Sequence, residues 1–321
     1  MTIMPEGWFT RLDDGPHRFV NMVPQQGKEP LLTYFDRKEL YAPEEQQRYE
    51  ERSLRRGDDI LWLGITGWTK PPKHYPACYG TSDNPKIYGT LVTALLMESV
   101  LALKTQGIQV DIRHGASDAG VDAAVLRVME AIPVSGSGVN CPMYMPWVTD
   151  DTRGGPVLVA KNKDSYHDLY SQYHQILLVT GGRDVAFHHD YLRRLKGVGC
   201  SVVADVMQTV STTPIPAYDC APGQDTPQLN NAAAYVREKN SFTYTPVPRS
   251  FDELSAITQL TLVDQACRLL KRAPDVAFME SLDDSVVAMR KRGRSQPAVP
   301  VSIEELEIRI GDAQQRYLSL S

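Results

Sequence analysis

The chain has 321 residues, 42% hydrophobic and 23% charged, which is enough for a packed core of domain size. Its net charge of −5, from 34 basic and 39 acidic residues, argues against a protein built to coat nucleic acid. No uninterrupted apolar run reaches the roughly 20 residues of a membrane helix, and residues 1–15 lack the basic-then-apolar pattern of a secretory signal.

Residues 1–57 are polar, proline-containing and charge-rich, and read as an arm with a short charged helix near 43–56. Ile60–Thr66 (ILWLGIT) is a compact apolar run of the kind that forms a buried strand. A turn-rich loop over Trp68–Lys86 follows, holding Pro71, Pro72, Pro76 and Pro85. Residues 87–106 predict a helix closed by Gly107, and Ile108–Arg113 predicts the next strand. Val121, Ala124, Val125, Val128, Met129 and Ile132 put one apolar face on a helix over Val121–Ile132. Ser135–Gly138 (SGSG) and Arg153–Pro156 read as loops, with a short apolar run, Val157–Ala160, after them. Residues 163–174 align Tyr166, Leu169, Tyr170 and Tyr173 on one helical face, a stripe that suits a core better than a base platform. Ile176–Thr180 is strand-like and ends in Gly181-Gly182; Asp184–Lys196 is helical, stopped by Gly197 and Gly199; Ser201–Val206 is a further strand. Strands alternating with helices at this spacing predict an α/β fold, a Rossmann-like open parallel sheet with helices on both faces.

From about residue 215 the alternation stops. Residues 211–250 carry Pro214, Pro216, Pro222, Pro227, Pro246 and Pro248 and read as a long irregular connection. Helices are expected at 251–272, about 276–291 and about 302–318, the first N-capped by Ser250 with Glu253 at the capping-box position. The basic cluster Arg290–Arg294 (RKRGR) reads as a solvated linker, with a phosphate-contacting patch as the alternative. Five scattered cysteines (Cys78, Cys141, Cys200, Cys220, Cys267) without a CxxC pair suggest reduced thiols and a cytoplasmic setting.

Three strand ends carry glycine: Gly64-Ile65-Thr66-Gly67, Gly115-Ala116-Ser117-Asp118-Ala119-Gly120, and Thr180-Gly181-Gly182-Arg183-Asp184. In an open parallel sheet, ligands bind beyond the carboxyl ends of the strands, where such loops converge. Glycine lets backbone approach a phosphate, and the next helix offers free N–H groups and a partial positive charge. Each glycine also suits a plain tight turn. Arg183 is the preferred anion-binding side chain, since its planar fork matches phosphate. Arg113 and His114 suit either a phosphate or a structural salt bridge. Trp68, Tyr144 and Trp147 lie in loops, where they stack on a base or pin the loop to the core. His188 and His189 point about 100° apart on a helix, so they make poor joint metal ligands. No metal is expected.

The stretches HGASDAGVDAAVLRVMEA (114–131) and ILLVTGGRDVAFHHDYLRRL (176–195) resemble the SLOG superfamily, which includes LOG-type nucleotide phosphoribohydrolases, DprA-like proteins and YspA-like domains. Gly115, Gly120 and the helix from Val121 match the LOG glycine-rich turn, and Gly181-Gly182 match the opening of PGGxGTxxE. The YspA-like HGxxxGxD fits His114, Gly115, Gly120 and Asp122 with one extra residue, and its glycine-ended first strand fits Gly64–Trp68. The resemblance covers roughly residues 58–210. It implies a nucleotide-binding domain over 58–215, flanked by the arm 1–57 and a loop and mainly helical extension over 216–321. It implies a nucleoside monophosphate, ADP-ribose or NAD-type ligand, held by Gly64, Thr66, Gly67, Arg113, Gly115, Ala116, Ser117, Gly120, Gly181, Gly182 and Arg183. No further cofactor is implied, and a homo-oligomer is expected.

The chain departs from the LOG pattern where GTxxE is expected: it has Arg183–His188, with His188 at the glutamate position. N-glycoside cleavage needs a carboxylate near the anomeric carbon, which makes Asp122 and Asp184 the stronger catalytic candidates beside His188. Three readings follow: an N-glycoside hydrolase, a non-catalytic nucleotide sensor signalling through its C-terminal helices or an oligomer interface, and a DprA-like single-stranded DNA binder. The acidic balance disfavours the third.

Overall fold

The computed structural model describes residues 60–69, 84–117, 119–140, 157–159, 166–167, 170–171, 174–196, 200–211, 215–219, 227–239, 248–293 and 301–320. The arm and its expected helix near 43–56 lie outside these residues, as do Tyr144, Trp147, Leu169, Tyr173, Gly197, Gly199, Cys78, Cys141 and Cys220.

Strands β1 (Ile60–Thr66), β2 (Gln109–His114), β3 (Ser135–Asn140), β4 (Val157–Val159), β5 (Ile176–Val179) and β6 (Cys200–Val203) form a sheet in the order β4-β3-β2-β1-β5-β6. Every neighbouring pair in it is parallel. The first strands step outward from β1 in one direction, and the chain then returns to β5 on the other side of β1. Right-handed crossovers therefore put α1 (Asn84–Thr105) and α2 (Gly120–Ala131) on one face, and α3 (Asp184–Lys196) on the opposite one. The expected α/β architecture is present.

The two faces of the sheet differ in chemistry. Leu61, Leu63 and Ile65 alternate along β1 and join Val110, Ile112, Ile176 and Leu178 in one apolar cluster beneath Leu91, Leu95 and Val125. Burying each such side chain contributes about 1.5–3 kcal/mol. The alternate residues of β1 are Trp62, Gly64 and Thr66, and the layer they meet holds Tyr170, His174, His189 and Arg193. Over Lys86–Thr105, α1 is long and apolar enough to cross a membrane, but 78% of that stretch is buried inside the protein.

The helices beyond residue 250 complete the apolar layer. They are α5 (Phe251–Leu269), α6 (Val276–Gly293) and α7 (Ile303–Ser319), preceded by α4 (Ala232–Lys239). Phe251, Leu262, Val263, Leu306, Ile310 and Tyr317 belong to the same cluster as β1. Arg309 ties three helices together: its Nε donates to Glu98 on α1 at 2.7 Å, its NH1 pairs with Asp252 on α5, and it lies 4.8 Å from the Phe251 ring. Helix α6 leans on α5 through a smaller cluster of Ala256, Ile257, Leu260 and Val286.

Some local expectations are corrected. Ser135–Gly138 is strand, not loop: it pairs in parallel with Asp111–His114, and a Cβ on Gly136 would lie 2.9 Å from the Ile112 carbonyl and 2.7 Å from Met129. Glycine here lets a strand pass under α2. The last strand ends at Val203 and gives way to a 3-10 turn over Val206–Val210. The stretch expected to be irregular contains the short antiparallel pair β7 (Tyr218–Asp219) and β8 (Gln228–Leu229), then α4. Arg290 is helical rather than part of a linker, and its Nε donates to Glu253 at 2.7 Å. Ser250 caps α5 as expected, but Glu253 reaches back to the Arg249 amide instead of the cap residue. The complete capping box is at Ser302 and Glu305 on α7.

Candidate functional site

The chain reverses direction across the sheet between β1 and β5, so the turns after β1, β2, β5 and β6 meet at one edge. All three glycine-bearing strand ends except Gly64 reach that edge. Gly64 sits within β1, opposite Arg113 and Leu177, and the His174 ring lies where its Cβ would be, 2.4 Å away. Its lack of a side chain serves packing on the polar face.

The turn after β2 is built around Asp122. This carboxylate accepts from the Gly115 amide at 2.7 Å, the Ser117 amide at 3.3 Å and the Ser117 hydroxyl at 2.7 Å. The turn amides are thus engaged by the protein's own anion. Burial raises the Asp122 pKa against the opposing influence of His114 and these hydrogen bonds. The clip holds Ala116 at φ +53°, a left-handed conformation that costs a non-glycine residue about 1 kcal/mol. The Ala116 amide donates to His114 Nδ1 at 3.1 Å. At Gly120 φ is +57°, and a Cβ would lie 2.0 Å from the Trp68 carbonyl, which also accepts from the Val121 amide.

Arg113 is buried and engages neighbouring side chains. Its Nε lies 3.0 Å from Asp111, its NH1 donates to Ser137 at 2.6 Å, and it covers the Trp62 ring at 4.6 Å. The salt-bridge alternative is the one observed.

Between β1 and β5 the crevice is filled by Trp68, which is buried. A Cβ on Gly181 would fall 2.3 Å from its ring. The Trp68 amide donates to the Tyr88 hydroxyl at 3.0 Å, and its indole Nε1 donates to the Asn230 carbonyl at 2.9 Å. Tyr88 also bonds Thr180 at 2.9 Å, and Gly67 is wedged between these two hydroxyls. Trp68 therefore pins loops together and offers no face for a base. Gly182 has φ +98°, and its carbonyl accepts from the Ala232 amide at 2.7 Å. Arg183 follows at the start of α3, exposed to solvent. Asp184 begins α3, and its side chain is outside the described residues.

On the polar face, His189 Nδ1 lies 3.2 Å from the Thr66 hydroxyl and its Nε2 lies 3.1 Å from His167 Nδ1. Burial and the Arg193 charge lower the His189 pKa to about 3, so the ring is neutral and bonds through one donor and one acceptor nitrogen. The Tyr170 hydroxyl accepts from the Ile65 amide at 3.2 Å and faces the Ile65 and Arg113 carbonyls. Arg193 donates to the carbonyls of His174 at 2.7 Å and Gln175 at 3.0 Å. His188 is buried, with its ring 5.5 Å from that of His167. Among the described residues no group of three metal-ligating side chains occurs.

The strand ends also bring forward residues that the sequence reading did not single out. Asp205 follows β6, is 4% exposed, and accepts from Asn231 Nδ2 at 2.8 Å. Arg237 NH1 lies 3.5 Å from the same oxygen. Reading Ser201–Val206 as continuous strand concealed Asp205; an acid at the end of an apolar run was the available signal. Tyr88 gave none, because its importance rests on a contact 92 residues away.

Comparison with protein-family models and with characterised proteins finds no match for the chain. The motif resemblance around His114–Asp122 and Gly181–Gly182 therefore rests on those residues alone. The geometry narrows what they offer. The turn after β2 is closed by Asp122, and the turn after β5 retains the exposed arginine and the helix start.

Proposed function

We propose that the chain binds a nucleotide or nucleotide derivative at the carboxyl edge of the sheet, with the phosphate at Gly181–Arg183. The observation that carries this is the junction of the β1–β5 chain reversal with a glycine turn, a 13-residue helix start and the exposed Arg183. A guanidinium beside helix-terminal amides suits a phosphate dianion. Since the net charge of the chain is −5, attraction must come from these local groups.

Binding without cleavage is favoured over N-glycoside hydrolysis. Asp122 is committed to Gly115 and Ser117, and His188 is buried within the histidine layer. Asp122 is thereby engaged by its own turn and His188 carries no carboxylate, while the Asp184 side chain lies outside the described residues.

The test is titration calorimetry with AMP, ADP-ribose and NAD, alongside chromatography for released base. Saturable binding, weakened about tenfold or more by Arg183→Ala, is the expected outcome. Binding left unchanged in Arg183→Ala would refute the phosphate position. Release of base above the uncatalysed rate would restore the hydrolase.

A further inference from the structure

We propose that His174 is an acid-sensitive latch, whose protonation frees the layer carrying Tyr170, His174 and α3 from the sheet while the apolar face stays folded. The His174 ring sits against Gly64, 2.4 Å from where a Cβ would be, and 4.9 Å from the Tyr170 ring. It is buried, and among the described residues neither of its nitrogens has a hydrogen-bond partner. A neutral ring there leaves one donor and one acceptor unmet; a protonated ring leaves two donors and a buried charge. The charged and titratable groups that face it are Arg193 and His189 from α3, Arg113 from β2 and Tyr170 from its own segment. Asp111 is paired with Arg113, and Asp190 of α3 and Cys200 of β6 face Arg193. Burial and the positive neighbours hold the His174 pKa well below 6.5.

Polar bonds attach the layer to the sheet. Arg193 donates to the carbonyls of Ser171 at 3.3 Å, His174 at 2.7 Å, Gln175 at 3.0 Å and Cys200 at 3.2 Å. A cation on His174 therefore opposes the guanidinium that holds its own carbonyl. Tyr170 and His189 add bonds to Ile65 and Thr66. The apolar cluster that joins β1 to α1, α5 and α7 contains no residue of α3 and neither Tyr170 nor His174. The layer can therefore open with the opposite face intact. Because α3 begins at Asp184, opening also dismantles the phosphate position at Gly181–Arg183. That consequence rests on the nucleotide reading above; the opening itself does not.

Hydrogen exchange read by mass spectrometry at pH 7 and pH 5, corrected for the intrinsic rate, tests the latch on the full chain without ligand. Freeing one histidine of ordinary pKa makes opening about 25-fold more favourable across that interval, and freeing His189 with it multiplies the factor. The expected result is that α3 loses protection by at least this factor while α1 and α7 change far less. His174→Phe keeps a ring against Gly64 but takes no proton, so its α3 response should shrink by about 25-fold. Equal losses in α3, α1 and α7 would show ordinary unfolding and overturn the latch. Unchanged α3 protection, or a wild-type response in His174→Phe, would overturn it too. Should circular dichroism show His174→Phe unfolded at pH 7, the wild-type contrast between α3 and α1 still decides. Calorimetry at pH 7 judges the nucleotide reading separately.

Discussion

At the scale of single residues, the histidine layer makes stability depend on acid. Burial, followed by the Arg193 charge, lowers His189 to about 3 and His174 well below its ordinary value. The unfolded chain therefore takes up protons near pH 6.5, while the folded chain does not until far lower. Stability is fully present above pH 6.5 and falls as the pH drops from there toward 3. The slope is about 1.4 kcal/mol per pH unit for each histidine. Buried Asp122 and Asp205, whose pKa values are raised, oppose this trend at the acid end of the window. Urea midpoints at pH 7 and pH 5 should differ in wild type, and His189→Gln should reduce that difference; an unchanged difference would refute the assignment. Gly120→Ala should destabilise by about 2–4 kcal/mol in the same measurement. The added Cβ meets backbone at a positive φ rather than a movable side chain.

At the scale of elements, periodicity reported well on anything with a single apolar face. The helix from Val121 and the run ILWLGIT were legible because their neighbours are apolar on the expected side. Ser135–Asn140 was not, because its strand character comes from pairing with β2, and Gly136 and Gly138 have no side chains to display an apolar alternation. Among the candidate residues, the strand-glycine-helix order put Gly181, Gly182 and Arg183 between a strand and the next helix, which is where they lie, after β5 and before α3. The role of Asp122 as a clip was hidden, because a carboxylate five to seven residues after a glycine turn reads equally well as a reactive group. Arg113 was ambiguous because one partner, Asp111, is two residues before it, while the other, Ser137, is 24 residues away. Helix α7 offers a direct check on capping. Ser302→Ala removes the side chain that accepts from the Glu305 amide and should cost about 1 kcal/mol, read from the melting midpoint.

At the scale of the whole molecule, the helices after residue 250 behave as part of the sheet's own core. Leu306, Ile310 and Tyr317 are buried against it, each worth about 1.5–3 kcal/mol. Removing residues 301–321 should therefore cost an amount comparable to the 5–15 kcal/mol that holds a typical domain together. The expected outcome is loss of the cooperative thermal transition and aggregation on gel filtration. A truncated chain that melts sharply would show α7 to be dispensable. The position of β1 between β2 and β5 has a consequence during synthesis. Its β2 partner is made soon after it, but Leu63 pairs with Ile176, roughly a hundred residues later. At about 5–20 residues per second, a nascent chain carries ILWLGIT with one open edge for several seconds to some twenty seconds. During that interval, an apolar, β-branched and uncharged strand edge is exposed to every other unfinished chain nearby. Yield in cells should then be governed by translation rate and chaperone supply before it is governed by the stability of the finished fold.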